Sequence, residues 1–397
     1  MPAAWQSVGV VPSLAATRNL LLGAVASASV VRGLLTVRRA RTAVPLSRFT
    51  PESRLPARVS VVIPARNEEA VLDECLRGAR DQNYGRTAPS AVRIVVVDDG
   101  STDGTSRIAE RHAAQDSRVQ IVRVDGPPPG WTGKVHAMHV GVQAVGEPEA
   151  GEWLLFVDAD TVLGPELLGR LLDTADSVDA DLVSTPGGPP TSHSSAWPLL
   201  MPPGLQMIAE NASPDGRGRK AFAIGHCILM RRSHYEKVGG WEALAERRNE
   251  DVAIATSVRD HGGTVRTVDG LDHVTTSGMD PFRQGWGSFR KSFVAGTRAS
   301  VPVLIGGGLG QIALSLAAPA AVVVGLRRRR GLLAAAGIAG WVAQGAAHER
   351  TARFMRAEPS LAPLAPLTNA LFGGVLLDGA IRVVRGQTAW KGRRTRT

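Results

Sequence analysis

Between residues 58 and 298, continuous apolar runs alternate with segments of helical spacing. Three of the runs, VSVVIPA, VRIVVVDD and EWLLFVDAD, are rich in β-branched and large apolar residues. Uninterrupted runs of this kind are typical of strands buried on both faces of a parallel sheet. Each run is followed by a segment with helical periodicity, in order EEAVLDECLRGARDQ, GTSRIAERHAAQ and PELLGRLLDTADS. The alternation predicts an α/β fold with a mostly parallel central sheet flanked by helices.

Long apolar segments lie outside this domain. Residues 14–35 are largely apolar but interrupted by Arg18 and Arg32, and residues 301–326 carry no charge. Two further apolar segments follow at 331–347 and 361–384, the second broken by one aspartate and one arginine. Because about 20 apolar residues span a bilayer as a helix, we expect membrane-associated helices at both ends of the chain.

The C-terminal apolar segments can be arranged in the membrane in two ways. The first C-terminal segment contains Pro319, so it is either one span or a re-entrant hairpin bent at that proline. If 301–326 and 331–347 are two spans, the arginines at 327–330 lie on the far side of the membrane, against the positive-inside tendency.

The chain therefore divides into four zones. They are an N-terminal membrane anchor or interfacial helix with a basic segment (1–50), the α/β domain (58–298), C-terminal membrane helices (301–385) and a basic tail (386–397).

The charge distribution favours a membrane protein over a nucleic-acid-binding one. The net charge is +10, and the basic residues crowd 32–48, 327–330 and 382–396, beside the apolar segments. Basic clusters in such places usually mark the cytoplasmic edge of a membrane protein, and no nucleic-acid-binding motif accompanies them. We therefore expect a multi-pass protein of the cell membrane with a cytoplasmic α/β domain and no nucleic-acid partner. The two cysteines, Cys75 and Cys227, have no metal-type spacing and predict no disulfide framework.

Acidic residues follow two of the predicted strands. Asp98 and Asp99 end the second strand, and Asp158 and Asp160 follow the third. Ligands of open α/β sheets bind at the carboxyl ends of the strands. Positions i and i+2 place both carboxylates of the second pair on one side, as a hard-oxygen cluster suited to Mg²⁺ or Mn²⁺. The alternative for this pair is two solvated aspartates in a loop.

Three other polar positions have both a structural and a functional interpretation. Asn67 and Glu68 follow the first strand, where they either meet a polar ligand or begin a helix favourably. Lys134 stands near a predicted helix N-terminus, against the dipole, which favours an anionic ligand such as a diphosphate. Glu250 and Asp251 open a helix, where acidic residues also serve as ordinary N-terminal neighbours of the dipole.

The order of the motifs adds what no single motif decides. VVIPARNE, VVVDDGSTDGT, PGWTGK, FVDAD, CILMRRSHYEKVGGWE and NEDVAIA occur in the order seen in inverting glycosyltransferases of family 2 with the GT-A fold, so residues 58–300 resemble that family. PPPGWTGKVHA and the terminal GQTAWKGRR are most similar to its membrane-bound hopene-associated or carotenoid-pathway subgroup.

The resemblance implies a role for individual residues. It implies a UDP- or GDP-sugar donor, a divalent cation (Mg²⁺ or Mn²⁺) and a lipid or membrane-associated acceptor. Asp251 would be the general base, with Glu250 in support. The donor would be bound by Pro64, Ala65, Asn67, Glu68, Asp98, Asp99, Lys134 and Asp158. Asp158 and Asp160 would hold the metal, and the acceptor side would include Arg231, Gly239, Gly240, Trp241, Arg283 and Trp286.

The sequence disfavours three alternatives to single-sugar transfer. RQGWGSFRKS is only loosely similar to the Q-x-x-R-W element of polysaccharide synthases, which disfavours polymer synthesis. The PARNEE segment is not the Gly-rich loop of a sugar nucleotidyltransferase. A non-catalytic membrane scaffold that kept the fold is disfavoured by the intact aspartates.

Overall fold

The computed structural model describes residues 14–48, 57–84, 89–188, 196–210, 212–218, 221–276, 281–387, 389–390 and 393–394. The first 13 residues, the linker predicted at 51–57 except for Ala57, and most of the basic tail at 386–397 lie outside the described residues.

One eight-stranded sheet forms the centre of the α/β domain. Its strand order is β1-β9-β7-β8-β5-β2-β3-β4, and β8 runs antiparallel to both of its neighbours. The other neighbouring strands pair in parallel, so the predicted mostly parallel sheet is confirmed. The strands are β1 (Val44–Pro45), β2 (Val59–Ala65), β3 (Val92–Asp99), β4 (Val119–Val124), β5 (Trp153–Val157), β7 (Leu182–Thr185), β8 (Cys227–Arg231) and β9 (Val265–Asp269).

Helices cover both faces of this sheet. One face packs against α2 and α5, and the other packs against α4, α7 and α8, so the domain has two apolar layers. Strand residues such as Val61 and Ile63 belong to the first layer, and Val62 belongs to the second. The helices are α2 (Leu72–Arg80), α3 (Thr105–Gln115), α4 (Gly133–Val145), α5 (Leu167–Ser177), α6 (Ala196–Ala209), α7 (Arg232–Lys237), α8 (Glu250–Asp260) and α9 (Phe282–Gly296).

A small second sheet supports the loop after β5. Its strands β6 (Thr161–Leu163) and β10 (Val274–Thr276) are antiparallel. α2 lies directly against β6, because a Cβ on Gly78 would come 2.8 Å from the carbonyl oxygen of Leu163. The loop that carries Asp158 and Asp160 is therefore held from both ends.

Four long helices form a bundle beside the domain. They are α1 (Leu14–Ala40), α10 (Val301–Arg327), α11 (Gly331–Phe354) and α12 (Ala365–Val384). Three stretches of the described chain are long and apolar enough to cross a membrane: Ala15–Ala40, Val301–Arg327 and Pro359–Val384. α10 continues through Pro319 as one helix, which decides between the two predicted arrangements of this segment in favour of a span-length helix.

Small residues bring the bundle helices close together. A Cβ on Gly337 of α11 would lie 2.6 Å from the backbone nitrogen of Val322 in α10. A Cβ on Gly33 of α1 would lie 2.6 Å from the carbonyl oxygen of Ala343. Small residues at such contacts let helix backbones approach closely, as is common in membrane bundles.

The bundle is tied to the α/β domain at one end. Arg356, which follows α11, donates to both carboxylate oxygens of Asp272 at 2.9 and 2.8 Å and to Asp269 at 3.2 Å. The indole N–H of Trp197 in α6 donates to the carbonyl of Met355 at 2.8 Å. These contacts fix the end of α11 against β9 and the loop that follows it.

Candidate active site

Lys134 joins two carboxylates that come from distant parts of the chain. Its Nζ lies 2.7 Å from Asp158 Oδ1 and 2.7 Å from Glu250 Oε1. Lys134 stands in the first turn of α4, Asp158 follows β5, and Glu250 opens α8. The fold thus brings together three residues that the sequence analysis singled out, at the carboxyl end of the central strands.

The two carboxylates set the charge state of Lys134. Burial acts to lower the pKa of its ammonium group, but the nearby charges of Asp158 and Glu250 outweigh this effect and hold the pKa well above its ordinary value. A permanently charged ammonium group at this point provides a fixed positive site for an anionic ligand.

Asp251 is a carboxyl group whose proton is exchanged near neutral pH. Burial raises the pKa of Asp251 to about 7, and the neighbouring Glu250 carboxylate adds to the rise, while Lys134 opposes it. A carboxyl group with a pKa near 7 suits general base catalysis, which works best when the pKa lies near the working pH. The first turn of α8 therefore presents one carboxylate bound to a lysine and one poised to accept a proton.

Gly225 lies beside Lys134 and Asp251 and was not singled out in the sequence. A Cβ at this position would lie 3.2 Å from Lys134 Nζ and 3.6 Å from Asp251 Oδ2. A side chain here would crowd the space where a reacting group could approach both residues. The only sequence signal is a Gly-His pair directly before β8, and its meaning depends on contacts that the sequence does not reveal.

His226, also missed in the sequence, fixes the loop of Asp158. Its carbonyl accepts from the Asp158 N–H at 3.2 Å, and its Nδ1 accepts from the Gly187 N–H at 3.0 Å. With Nδ1 acting as acceptor, the neutral ring carries its proton on Nε2. The residue directly before β8 therefore holds the loop of Asp158 in place from one side.

Asp158 and Asp160 are suited to a divalent cation. Both are half-buried at the end of β5, and the Asp160 carboxylate has no hydrogen-bond or ion-pair partner among the described residues. In the described part of the chain, no cluster of three or more His, Cys, Asp or Glu side chains could hold a metal by itself. Two carboxylates can serve Mg²⁺ or Mn²⁺ when substrate phosphates and water complete the coordination, so the donor set fits such an ion.

The adjacent aspartates of β3 have different surroundings. Both carboxylate oxygens of Asp98 accept from the next turn, Oδ1 from the Ser101 N–H at 2.9 Å and Oδ2 from the Ser106 hydroxyl. Asp99 pairs with Arg66, whose Nη1 donates to the Asp99 carbonyl at 2.5 Å and lies 3.8 Å from its Oδ2. Asp98 is thus occupied in shaping the turn before α3. Arg66 is a further basic residue at this edge that the sequence analysis did not single out.

The loop after β2 is bound to the loop after β3. Asn67 has a positive φ of 51°, its N–H donates to Ser101 Oγ at 3.0 Å, and its Oδ1 accepts from the Thr102 N–H at 2.9 Å. The Glu68 N–H donates to Thr105 Oγ1 at 2.8 Å. Pro64 and Ala65 end β2 next to this loop, so the four predicted residues do lie together at the edge of the sheet.

The acceptor-side residues predicted around β8 lie elsewhere. Arg231 pairs with Trp153 across β8 and β5, at the opposite end from Asp158, and its guanidinium stacks 4.5 Å from the Trp153 ring centroid. Trp241 is fully buried, with its ring 5.0 Å from that of Phe156. The structure thus places Arg231 at the wrong edge for an acceptor site and gives Trp241 a core position.

The two glycines before Trp241 have a structural reason. Gly239 and Gly240 have φ values of 76° and 55°, and a Cβ on Gly240 would collide with the Tyr235 ring at 2.5 Å. They end α7 in a conformation that side chains rarely adopt.

The two acceptor-side residues predicted in α9 are Arg283 and Trp286. The indole N–H of Trp286 donates to Asp378 Oδ2 in α12 at 2.9 Å, and Arg290 donates to the same oxygen at 2.8 Å. Arg283 is exposed. Trp286 therefore connects α9 with the bundle.

Comparisons with known proteins show which family and which fold this chain is similar to. Residues 60–239 match the family model described as Glycosyl transferase family 2. The glycosyltransferase GlyG of Streptococcus pneumoniae is 29% identical over 125 residues, which cover 32% of this chain and 37% of that protein. The 4,4'-diaponeurosporenoate glycosyltransferase of Staphylococcus aureus is 24% identical over 258 residues, or 62% of this chain and 64% of that protein. The chain thus spans less than two thirds of the length of these two relatives.

A solved structure is similar over nearly the whole chain. The mannosyltransferase PcManGT from Pyrobaculum calidifontis, in complex with GDP-Man and Mn²⁺, has a TM-score of 0.52 and 20% sequence identity, covering 91% of this chain and 99% of that one. The predicted fold class is confirmed. Residues 60–239 are thus similar to glycosyltransferase family 2, and the mostly parallel sheet with flanking helices is a GT-A fold.

Proposed function

We propose that this protein is a membrane-bound inverting glycosyltransferase that transfers one sugar from a nucleotide-diphospho-sugar to a hydroxyl or carboxyl group of a lipidic acceptor. The observation that carries the proposal is the meeting of Lys134, Asp158, Glu250 and Asp251 at one edge of a GT-A sheet. The family match over residues 60–239 and the donor of the similar mannosyltransferase, GDP-Man, support a nucleotide-sugar substrate.

The donor occupies the edge between β2, β3 and β5. Asp99 accepts a hydrogen bond from the base, because the carboxylate of Asp98 already accepts from Ser101 and Ser106. Lys134 leaves its carboxylate partners in part and neutralises charge on the diphosphate. Asn67 and Glu68 border the nucleotide through the loop that is bound to α3.

Asp158 and Asp160 hold Mg²⁺ or Mn²⁺ in this proposal. When bound there, the ion acts as a Lewis acid that stabilises the charge developing on the diphosphate leaving group. The Mn²⁺ in the mannosyltransferase complex supports this assignment. The contribution of the chain is to aim two carboxylates from a loop that His226 and β6 keep in place.

Asp251 acts as the general base. It takes the proton from the acceptor oxygen while that oxygen forms a bond to the anomeric carbon, and the bond between this carbon and the diphosphate breaks on the opposite face. The nucleoside diphosphate leaves with the bonding electrons, and the configuration at the anomeric carbon inverts. Glu250 supports Asp251 by holding Lys134 and by raising the pKa of the base.

The bundle gives the reason for a lipidic acceptor. Three stretches of the described chain are apolar and long enough to cross a membrane, and the bundle is joined to the α/β domain through Arg356. The relative from Staphylococcus aureus is named for a carotenoid-type acceptor. We place the protein in the cell membrane with its α/β domain in the cytoplasm.

A donor screen with purified membranes tests the proposal. Membranes that contain the protein are incubated with UDP- and GDP-sugars and Mn²⁺, and the lipid extract is examined by mass spectrometry for an added hexose or pentose. Asp160→Asn and Asp251→Asn should each abolish the new lipid species. Asp179→Asn is the matched control. Asp179 is exposed, precedes the end of β7 that is opposite to the active-site edge of the sheet, and has a φ of 46° that asparagine tolerates.

Two results would contradict the proposal. Full activity of either site variant would remove that residue from the mechanism. If calorimetry finds no metal-dependent binding of any nucleotide sugar to the wild-type protein, a non-catalytic scaffold is favoured instead.

A further inference from the structure

Lys134 and the divalent cation of the proposed mechanism share one ligand. The Lys134 Nζ lies 2.7 Å from Asp158 Oδ1 and 2.7 Å from Glu250 Oε1. Asp158 is also one of the two aspartates to which we assign Mg²⁺ or Mn²⁺. The ammonium group and the metal ion therefore compete for the same carboxylate.

The competition concerns charge as well as contact. An ion on Asp158 would stand within a few ångströms of the Lys134 ammonium group, and like charges so close together repel each other strongly inside a protein. Asp160 is the other metal ligand, and its carboxylate has no hydrogen-bond or ion-pair partner in the part of the chain that the structure describes. Since Mg²⁺ and Mn²⁺ require several oxygen ligands, the protein without nucleotide offers such an ion only a weak site.

The backbone that carries Lys134 is fixed, so only its side chain can yield. The N–H of Thr132, directly before α4, donates to the Ala245 carbonyl at 2.8 Å. α4 also lies close to the central sheet, because a Cβ on Gly141 would come 2.4 Å from Cγ1 of Val62. The lysine side chain, in contrast, is a flexible stem of four carbons.

The ammonium group can leave its partners only towards solvent. Gly225 lies against it on one side, where a Cβ would come 3.2 Å from Nζ. The Lys134 side chain nevertheless keeps 22% of its surface exposed. A soluble nucleotide arrives from this accessible side, and its diphosphate oxygens accept charge-assisted hydrogen bonds from an ammonium group as carboxylates do.

We propose that Lys134 keeps the divalent cation out of the site until a nucleotide diphosphate draws its ammonium group away from Asp158. The inference rests on the proposed function and adds the order in which the site fills. The diphosphate compensates the charge of the lysine and supplies further oxygen ligands for the ion. Metal and nucleotide thus bind cooperatively, and Lys134 is the residue that couples them.

Manganese binding to the full-length protein in detergent micelles tests the proposal without any transfer reaction. The electron paramagnetic resonance signal of free aqueous Mn²⁺ is titrated with protein, alone and with GDP or UDP. Lys134→Met should bind Mn²⁺ alone roughly tenfold more tightly than the wild type, because the competing hydrogen bond between charged groups is gone. The factor by which GDP or UDP tightens Mn²⁺ binding should be roughly tenfold larger in the wild type than in this variant.

Three further variants locate the effect. Lys134→Gln should show the same gain in Mn²⁺ binding and can still hydrogen-bond to both carboxylates, in case methionine disturbs folding. Lys237→Met removes an exposed lysine from α7, which follows the end of β8 opposite to Asp158, and should change nothing. Asp160→Asn, combined with Lys134→Met, should abolish the Mn²⁺ binding that the lysine variant gains.

The possible failures of the two proposals differ. Mn²⁺ binding that is no tighter in Lys134→Met and Lys134→Gln than in the wild type overturns the role of Lys134. Equal tightening by GDP or UDP in all proteins overturns it as well, and so does a gain that survives Asp160→Asn. If neither Mn²⁺ nor a nucleotide with Mn²⁺ binds to any of these proteins, the proposed function fails instead.

Discussion

At the scale of single residues, three carboxylates lie around the single ammonium group of Lys134. One ammonium group lies between Asp158 and Glu250, and Asp251 stands beside Glu250 in the same helical turn. Three carboxylates thus share one nearby cation, and the carboxyl group of Asp251, which lacks an ion pair of its own, has the raised pKa. The arrangement keeps a base available at neutral pH.

The first prediction concerns the pH dependence of transfer. Because the pKa of Asp251 is raised to about 7, the base is protonated below this pH and ionised above it. We expect kcat/KM for sugar transfer to fall about tenfold for each pH unit below that value, as a single required ionisation dictates. The measurement is a pH profile of initial rates with a saturating divalent cation. A profile that is flat from pH 5 to 8 would exclude Asp251 as the base.

The second prediction concerns stability at the same residue. An aspartate whose pKa is higher in the folded than in the unfolded protein destabilises the fold as pH rises above the unfolded pKa, because the unfolded chain then releases a proton that the folded state retains up to the folded pKa. The pKa of Asp251 is raised from 3.8 to about 7, and a pKa difference of one corresponds to about 1.4 kcal/mol. Asp251→Asn should therefore raise the free energy of unfolding at pH 8 by up to about 4 kcal/mol and change it little near pH 4. Denaturant unfolding at both pH values measures this, with Asp179→Asn as the control. Equal stability changes at both pH values would be inconsistent with a raised pKa.

At the scale of elements, Arg356 supplies the ion pairs that attach the end of α11 to the domain. Arg356 donates to Asp272 and Asp269, and its hydrogen bond and charge lower the pKa of Asp272. A carboxylate with a depressed pKa stabilises the fold above its unfolded pKa and loses this contribution as pH falls through the folded pKa. The attachment is therefore complete at neutral pH and is weakened only in acid.

The third prediction follows from this attachment. Arg356→Met should lower the free energy of unfolding by about 1 kcal/mol at neutral pH, because a partly exposed bidentate pair and a second carboxylate lose their partner. Arg353→Met, which breaks a more exposed pair with Glu349 in the same helix, should have little effect. Thermal unfolding in detergent compares the two variants. A larger loss in Arg353→Met would contradict the role of Arg356.

Individual elements differ in how far the sequence predicts them. The buried strands were predictable because β-branched runs indicate them directly, and the carboxylates at their ends follow from parallel pairing. The position of β8 between β5 and β7 was not predictable, because it depends on antiparallel register between segments about seventy residues apart. For the same reason Gly225 and His226 were missed. Arg231 was expected near the site, but it lies at the other end of β8.

At the scale of the whole molecule, the bundle helices alternate in direction. Gly337 contacts Val322 and Gly325 contacts Ala334, so α11 is antiparallel to α10. The arginines at 327–330 therefore lie at the end of the bundle that is farthest from Arg356 and the α/β domain. Pro359–Val384 differs: it begins shortly after Arg356 at the domain, reaches the middle of α11, where the Trp341 indole donates to the Pro363 carbonyl at 2.8 Å, and returns to α9 at Asp378. Both ends of this segment are thus near the domain.

The fourth prediction is that α1, α10 and α11 cross the membrane and that Pro359–Val384, although long and apolar enough to cross it, re-enters it from the side of the α/β domain. Arg328→Cys should react with a membrane-impermeant maleimide from the side opposite to the α/β domain, and Gln387→Cys should react from the same side as the domain. The native Cys75 and Cys227 are buried and should give no background. Reaction of both engineered cysteines from one side would exclude three crossings.

The close glycine contacts between the bundle helices have a kinetic consequence. Backbone atoms meet where side chains would otherwise leave a passage, as between Gly308 and Gly373. We therefore expect a lipidic acceptor to reach the α/β domain from the surrounding leaflet, by diffusion within it, and not through the bundle. Its effective concentration is then a surface density rather than a bulk concentration. Diluting the acceptor with inert phospholipid at constant total amount should slow transfer, as in surface-dilution kinetics, even when the bulk concentration of every reactant is unchanged.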